Sequence, residues 1–298
     1  MDTGILLTNL GTPVAPTPSS IRRYLHEFLS DPRVVEIPRW VWLPILYGFI
    51  LPFRPYKTAK LYQKIWRHDG SPLRIFSERL AKNLMKSISA PVALGMRYGS
   101  PSIHDALESL RDKSKIIILP LYPQYCSATT GSTFDAITQV IQTWRKVPEL
   151  HFINHYFDHP DYIQALADNI RAYRKNKKLL FSFHGIPKRS IDLGDPYAEQ
   201  CHKTAQLIAD NLELNTKEWQ VVFQSRFGPA EWLQPYFSDV LKSLGNEPVD
   251  VVCPGFATDC LETLEEIALA NKNINYIPAL NDSSQHTGML STLLSAYL

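Results

Sequence analysis

The sequence has few cysteines for its length, and they are widely spaced. Only Cys126, Cys201, Cys253 and Cys260 occur in 298 residues, and no two form a Cys-x-x-Cys pair. Four scattered thiols are too sparse for a disulfide framework in a chain of this size, so a reducing compartment is favoured. We therefore predict a cytoplasmic protein that is stabilised by its core rather than by cross-links.

A strong net charge and a long hydrophobic run are also missing. Lys and Arg number 31 against 29 Asp and Glu, a net charge of +2, so no global electrostatic argument favours nucleic acid as a partner. The N-terminus passes directly into the strand-like GILLTNL without a basic leader, which predicts no export signal. The apolar stretch 39–54 is shorter than the about 20 residues of a membrane-spanning helix and contains Pro44 and Pro52. We predict no such helix here.

Three glycine-rich fingerprints are absent from the sequence: GxGxxG, GxxxxGK(S/T) and GxSxG. The first motif lets the backbone approach a pyrophosphate, the second binds the phosphates of a nucleotide, and the third exposes a nucleophilic serine. Their absence argues against dinucleotide binding, P-loop phosphoryl transfer and hydrolase chemistry.

Continuous aliphatic runs alternate with amphipathic stretches along the chain. Such runs are typical of strands buried on both faces, and the alternation predicts parallel sheets flanked by helices. The predicted strands are 4–9, 91–95, 115–121, 150–154, 178–183, 219–224 and 249–253; the predicted helices include 71–87, 102–110, 129–145, 161–173, 195–212, 232–244, 259–270 and 284–297. We predict an α/β protein of two Rossmann-like domains, 1–154 and 155–275, with a C-terminal helix in 276–298 that packs back on the first.

A histidine follows one of these apolar runs, in LLFSFHGIP at 179–187. Ligands of open α/β sheets bind beyond the carboxyl ends of the strands, so His184 lies at a position favourable for chemistry. Taken alone, however, a histidine in this position more often has a structural role in a turn than a functional one.

Carboxylates follow another run, in PGFATDCLETLEEIA at 254–268. A spacing of about 100° per residue places Glu262 and Glu266 together on the face opposite the apolar residues. Asp259 and Glu262 also fit a capping box at a helix start. A histidine and a carboxylate at two strand ends suit proton removal by neutral imidazole or transient binding of a divalent transition metal. A permanent zinc site would need more ligands than the sequence offers.

Seven ordered motifs, from the first strand to about residue 281, carry a family resemblance: the chain resembles the ferrochelatases, which insert Fe(II) into a porphyrin in the last step of haem synthesis. The motifs are LTNLGTP at 7–13, IWRHDGSPL at 65–73, GMRYGSP at 95–101, LPLYPQYCSATTGS at 119–132, SFHGIP at 182–187, FQSRFGPAEW at 223–232 and CPGFATDCLETLEEI at 253–267. The GSPL and HGIP sequences within these motifs are most similar to those of family members from Gram-negative bacteria.

The resemblance implies a chelatase fold with a porphyrin cleft between its two domains. It implies that His184 and Glu262 are the catalytic and metal-contacting pair, supported by Asp259 and Glu266. The positions that would line or approach the porphyrin are Leu10, Arg97, Tyr98, Tyr122, Trp232 and Phe256. Protoporphyrin IX and Fe(II) are then the substrates, with no permanently bound cofactor.

The resemblance also concerns the apolar segment 39–54, which matches a lip that touches membrane in some relatives. Peripheral contact with the inner membrane is one interpretation, and a buried or dimer-contact helix is the other; a monomer is favoured.

Cys260 stands where many relatives have histidine, and no cysteine follows it. We therefore predict no two-iron two-sulfur cluster, which needs four thiolates. A porphyrin carrier without turnover, or a chelatase for another metal or tetrapyrrole, are the alternative functions.

Overall fold

The structure, a computed structural model, describes residues 2–271 and 273–298, and its internal contacts divide the chain into two units. The first contains the chain up to Leu121, together with Ser127–Asn154 and Leu290–Leu298. The second contains Tyr122–Cys126 and His155–Met289. The sequence-based boundaries differ at two places: 122–126 was expected in the first domain, and 276–289 was expected to follow the C-terminal helix onto it.

The described residues form eight strands in two sheets. The strands are β1 (Thr3–Thr12), β2 (Val92–Gly99), β3 (Lys115–Pro120), β4 (Glu149–Phe152), β5 (Lys178–His184), β6 (Trp219–Gln224), β7 (Val249–Val252) and β8 (Ile274–Ile277). The first unit has the order β2-β1-β3-β4 and the second has the order β6-β5-β7-β8. Every pairing is parallel, which confirms the predicted fold class.

Helices cover both sheets, as parallel crossovers require. The α-helices are α1 (Pro18–Leu29), α2 (Arg39–Ile45), α3 (Leu51–Ile65), α4 (Pro72–Ser87), α5 (Ile103–Glu108), α6 (Ser132–Ile141), α7 (Pro160–Tyr173), α8 (Lys188–Asp192), α9 (Tyr197–Asn211), α10 (Phe237–Leu244), α11 (Leu261–Thr263) and α12 (Ser284–Ser295). The described residues also form three π-helical turns: π1 (Leu46–Ile50), π2 (Ser127–Gly131) and π3 (Leu264–Leu269). Helix α4 has Ser71 as its N-cap and Pro72 in its first turn, in agreement with the helix predicted over 71–87.

The central strands are buried along their whole apolar runs. Ile5, Leu6 and Leu7 of β1 have no solvent exposure, and neither do Leu179 and Phe181 of β5. A strand with neighbours on both edges and helices on both faces must be apolar on both faces, which explains why the runs do not alternate.

The sequence-based prediction missed one strand and misassigned one helix. Strand β8 pairs with β7 and completes the second sheet, although INYI is short and lies beside asparagines. The segment predicted as one helix over 259–270 is a single turn of α-helix, α11, that continues as π3. A π-helix closes i→i+5 hydrogen bonds, so the face that its side chains share differs from that of an α-helix.

Candidate functional site

The second sheet reverses its strand order at β5, which places the end of that strand at a topological switch point. From β5 the chain passes to β6 on one side and later to β7 on the other. Crossover helices leave the sheet in opposite directions at such a point, and the crevice beyond the strand ends is where α/β proteins bind ligands. His184 is the last residue of β5 and pairs in register with Gln224, the last residue of β6.

The local backbone fixes which nitrogen of His184 carries a proton. Its Nδ1 lies 2.6 Å from the carbonyl oxygen of Gly185. A carbonyl can only accept, so Nδ1 donates its hydrogen, and the neutral ring leaves Nε2 as a free lone pair. Gly185 is required here because a Cβ would lie 2.9 Å from the carbonyl oxygen of Gln224.

Trp232 forms part of the surroundings of the imidazole. The two ring centroids are 6.5 Å apart with an interplanar angle of 51°. The indole Nε1 is buried and has no hydrogen-bond partner within the described chain. A buried donor without an acceptor is costly, so this N–H is suited to an acceptor that a ligand brings.

The start of the acidic helix differs from the prediction. Cys260 is the N-cap of α11: its side chain accepts from the backbone N–H of Thr263, and Thr263 Oγ1 accepts from the backbone N–H of Cys260. The predicted capping box of Asp259 and Glu262 is therefore wrong. The N-cap is Cys260, one residue after the predicted Asp259, because the carboxylate of Asp259 accepts hydrogen bonds from other groups.

Asp259 is buried and accepts hydrogen bonds from four groups around it. They are the hydroxyls of Thr263 and Tyr276, the side-chain amide of Asn281 and the backbone N–H of Ala279. Four donors stabilise the charged form of a carboxylate that burial would otherwise penalise. Asp259 therefore ties the beginning of α11 to the segment that follows β8.

Glu262 and Glu266 lie one turn apart and act on each other electrostatically. Burial raises the pKa of Glu266, and the negative charge of Glu262 adds to this, whereas hydrogen bonds from Ser225 and the positive charge of His184 when its ring is protonated oppose it. The charges of His184 and Glu262 thus both act on Glu266. We call these three side chains, at the carboxyl edge of the second sheet, one electrostatic group.

Two residues at the end of β6 hold this group together, and sequence reasoning did not assign them to the site. The amide of Gln224 donates to the backbone carbonyl of Glu262 at 2.9 Å and accepts from Ser182 Oγ at 2.7 Å. Ser225 donates to Glu266 through both its backbone N–H and its hydroxyl. Their position in the sequence could have indicated this role, because Gln224 and Ser225 come at the end of an apolar strand, as His184 does.

The remaining predicted porphyrin contacts are distributed over both units. Leu10, Arg97 and Tyr98 belong to the first unit, and Tyr122, Trp232 and Phe256 to the second. Phe256 is half-buried and packs against the core below the second sheet, and Tyr122 is buried. Their contact with a porphyrin stays a prediction.

Arg97 and Tyr98 have well-defined partners inside the first unit. The guanidinium of Arg97 pairs with buried Asp31 and donates to Ser132, and its carbon lies 4.6 Å from the ring centroid of Tyr98. The hydroxyl of Tyr98 donates to Asp31 at 2.8 Å, and the side chain is only 1% exposed. Burial and the Asp31 charge raise the pKa of Tyr98 well above its usual range.

The cysteines are all buried and none forms a disulfide in the described chain. Burial raises the pKa of the Cys260 thiol, and the neighbouring carboxylate of Glu262 raises it further. Over residues 2–271 and 273–298, no group of three or more His, Cys, Asp or Glu side chains is arranged to hold a metal ion.

The apolar segment 39–54 forms α2, π1 and the start of α3, and it exposes several large aromatic side chains. Trp40 is 81% exposed, Phe49 69% and Phe53 70%. Contiguous exposed apolar side chains on a folded protein mark a surface that contacts something else. Among the described helices, none combines the length and apolarity needed to cross a membrane.

The fold is that of the chelatases. The sirohydrochlorin chelatase SirB from Bacillus subtilis subspecies spizizenii, solved in complex with cobalt, superposes with a TM-score of 0.57. The alignment covers 97% of this chain and 92% of that one at 10% sequence identity, so the likeness concerns the fold alone.

Sequence similarity defines the family. The ferrochelatase family model matches residues 2–298. The ferrochelatase of Methylococcus capsulatus is 54% identical over 314 residues, covering 99% of this chain and 97% of the relative. That of Nitrosococcus oceani is 52% identical over 318 residues, covering 99% and 86%. The chain belongs to the ferrochelatase family, which confirms the resemblance read from its motifs.

Proposed function

We propose that this protein inserts Fe(II) into protoporphyrin IX, producing protohaem and two protons as the terminal step of haem synthesis. It would then be a lyase that forms nitrogen–metal bonds. The observation that carries the proposal is the placement of His184 at the switch point of the second sheet, in one electrostatic group with Glu262 and Glu266. Membership of the ferrochelatase family supports the reaction class.

Metalation replaces two pyrrole N–H protons by one dication, and no electron is transferred. In the proposal, Nε2 of His184 accepts the two pyrrole protons one after the other and passes each to solvent, because Nδ1 is occupied as a donor to Gly185. Glu262 contacts Fe(II) and offsets its charge, and oxygen together with imidazole nitrogen suits a ferrous ion that must be released again. The half-buried carboxylate of Glu266 supplies further negative charge one turn away.

We propose that the porphyrin lies against Trp232 and Phe256 on the side of His184. The unpartnered indole N–H of Trp232 supports this, since a substrate carboxylate or pyrrole nitrogen would satisfy it. Aromatic side chains suit a flat conjugated ligand. Leu10, Arg97, Tyr98 and Tyr122 remain porphyrin contacts implied by the family motifs. We further propose a cytoplasmic monomer whose exposed aromatic segment 39–54 contacts the inner membrane peripherally.

An anaerobic assay tests the central claim. Purified protein is mixed with Fe(II) and excess protoporphyrin IX, and haem formation is followed by absorbance. We expect many turnovers per protein with wild type and loss of catalysis with His184→Ala, while both proteins show the same thermal unfolding. Stoichiometric porphyrin binding without turnover would instead favour a carrier. Faster metalation of a porphyrin with a different carboxylate number, or with Co(II), would favour another chelatase.

A further inference from the structure

Ser225 has an unusual backbone conformation at the edge of the site. Its φ angle is +68°, in the left-handed region that few residues other than glycine adopt, and serine is not among the side chains that tolerate it best. The residue follows β6 directly, next to Gln224. A strained residue beside a functional group is maintained only when the surrounding structure gains something from it.

This conformation directs two donors of one residue at one carboxylate. The backbone N–H of Ser225 donates to Oε1 of Glu266 at 2.8 Å, and its hydroxyl donates to Oε2 at 2.5 Å. Each carboxylate oxygen therefore has one fixed donor and keeps a further lone pair. The plane of the carboxylate is therefore fixed relative to the sheet, and the preceding turn, α11, is held separately by the hydrogen bond from Gln224 to the Glu262 carbonyl.

Glu266 is also open to solvent on one side. It lines a cavity of about 420 Å³ together with Phe237, Ser238, Leu241, Lys242 and Asn271. The ammonium of Lys242 in this lining is paired with Asp239 at 3.8 Å, which leaves Glu266 as the anion that a hydrated cation would meet there. The charges of His184 and Glu262 act on the same carboxylate. A fixed anion at this point attracts a dication without the entropic cost of ordering a free glutamate side chain.

We infer that Ser225 is a positioning residue for the metal substrate: its two hydrogen bonds hold Glu266 where the carboxylate stabilises Fe(II) on its approach to His184 and Glu262. The inference rests on the proposed metal insertion. It assigns Ser225 no contact with the porphyrin, so its effect should fall on Fe(II) and not on the tetrapyrrole.

A pair of substitutions at this position separates function from backbone strain. Ser225→Gly keeps the N–H donor and relieves the positive φ, but removes the hydroxyl. Ser225→Thr keeps a hydroxyl, but places a β-branched side chain at a φ where such residues are outliers. Glu213→Gly is the matched control, because Glu213 is an exposed residue of the same unit with a φ of +56°.

Steady-state metalation with Fe(II) and protoporphyrin varied independently, together with thermal unfolding, gives the result. For Ser225→Gly we expect a KM for Fe(II) about tenfold above wild type, the loss expected for one hydrogen bond to a charged group. Its KM for porphyrin should be unchanged and its Tm within about 2 °C of that of Glu213→Gly. Ser225→Thr should show the reverse, a lowered Tm with a KM for Fe(II) near the wild-type value.

Three outcomes would overturn the inference: kinetics of Ser225→Gly equal to those of Glu213→Gly, a rise in the KM for porphyrin, or a fall in kcat alone. Absence of turnover in wild type and Glu213→Gly would contradict the proposed function instead. The two failures are therefore distinguishable in one series of measurements.

Discussion

The imidazole of His184 is held by its own neighbour in sequence, since Nδ1–H donates to the carbonyl oxygen of Gly185 across 2.6 Å. The hydrogen bond leaves the Nε2 lone pair free for the proposed proton transfer and predicts a specific result for His184→Asn. The amide nitrogen of asparagine can replace Nδ1 as the donor, but nothing replaces Nε2. We expect normal thermal unfolding and a kcat lowered at least about 100-fold, the usual range for loss of a general base.

His184→Gln is the complementary variant, because its longer amide reaches toward the Nε2 position without being a base. It should be as inactive as His184→Asn, and it should form a poorer hydrogen bond to the carbonyl oxygen of Gly185. Retention of more than about a tenth of the wild-type kcat by either variant would contradict the assignment of Nε2 as the proton acceptor.

Glu262 is predicted to serve the same step of metal insertion as His184. Glu262→Gln should lower kcat/KM for Fe(II) by about 10- to 100-fold, since it removes the charge that faces the dication. Glu265→Gln removes a carboxylate from the same segment and should leave kcat/KM within about twofold of wild type. Steady-state metalation under anaerobic conditions measures both.

The combination of His184→Asn with Glu262→Gln tests the pairing directly. Residues that act on one step lose less together than the sum of the two single losses, expressed as free energies. A fully additive loss would indicate that the two side chains serve separate steps.

The sequence was sufficient to predict the parts of the molecule that depend on local pattern. The runs ending at His184 and Gln224 are short but mostly apolar, so the sheet class and the strand ends could be predicted. Strand β8 could not be predicted, because four residues beside asparagines carry little periodic signal, and its pairing with β7 is a tertiary fact. Residues 276–289 were expected with the first unit, whereas their contacts group them with the second.

The organisation of the site depended on contacts between distant segments. Asp259 looked like a cap in sequence, but Tyr276 and Asn281, from 17 and 22 residues further along, use its carboxylate. The positive φ of Ser225 has no local sequence signal, because serine does not require it. The residues proposed for the chemistry could thus be named from the sequence, whereas the residues that hold them in place could not.

Asp259 is predicted to stabilise the region between β7 and α12. Asp259→Asn replaces one acceptor oxygen by an NH₂ group that faces donors, which leaves buried polar groups unpaired. We expect the free energy of unfolding to fall by about 2–4 kcal/mol, measured by urea denaturation. Asp192→Asn, at an exposed carboxylate, is the control and should change it by less than about 0.5 kcal/mol.

The exposed aromatic segment is predicted to bind anionic membranes. Phe49→Ser combined with Phe53→Ser removes two largely exposed rings and should reduce co-sedimentation with phosphatidylglycerol vesicles at least about tenfold, since burying one such ring contributes about 1.5–3 kcal/mol. The combination of Val147→Ser and Leu193→Ser, which removes two exposed apolar side chains elsewhere, should leave binding unchanged. Equal loss with both pairs would argue against a defined contact segment.

His286 is predicted to make the protein sensitive to acid. It is buried in α12, and Nδ1 donates to the carbonyl oxygen of Asn281 at 2.6 Å. Burial lowers the pKa of His286 to about 4, although the Asn281 carbonyl and the charge of Asp282 act in the opposite direction.

In the unfolded chain a histidine has a pKa near 6.5, so the unfolded state binds a proton that the folded state does not. Stability is therefore fully present above about pH 6.5 and is lost as the pH falls toward 4, by about 3 kcal/mol from this group.

Urea denaturation at pH 7 and pH 4.5 measures the loss. His286→Gln should unfold more easily than wild type at pH 7, but its stability should fall less between the two pH values. His104→Gln, at a largely exposed histidine, should retain the wild-type pH dependence. An unchanged pH dependence in His286→Gln would show that other groups govern the acid response. A reduced one would identify this buried imidazole as the group that must take up a proton when the second unit unfolds.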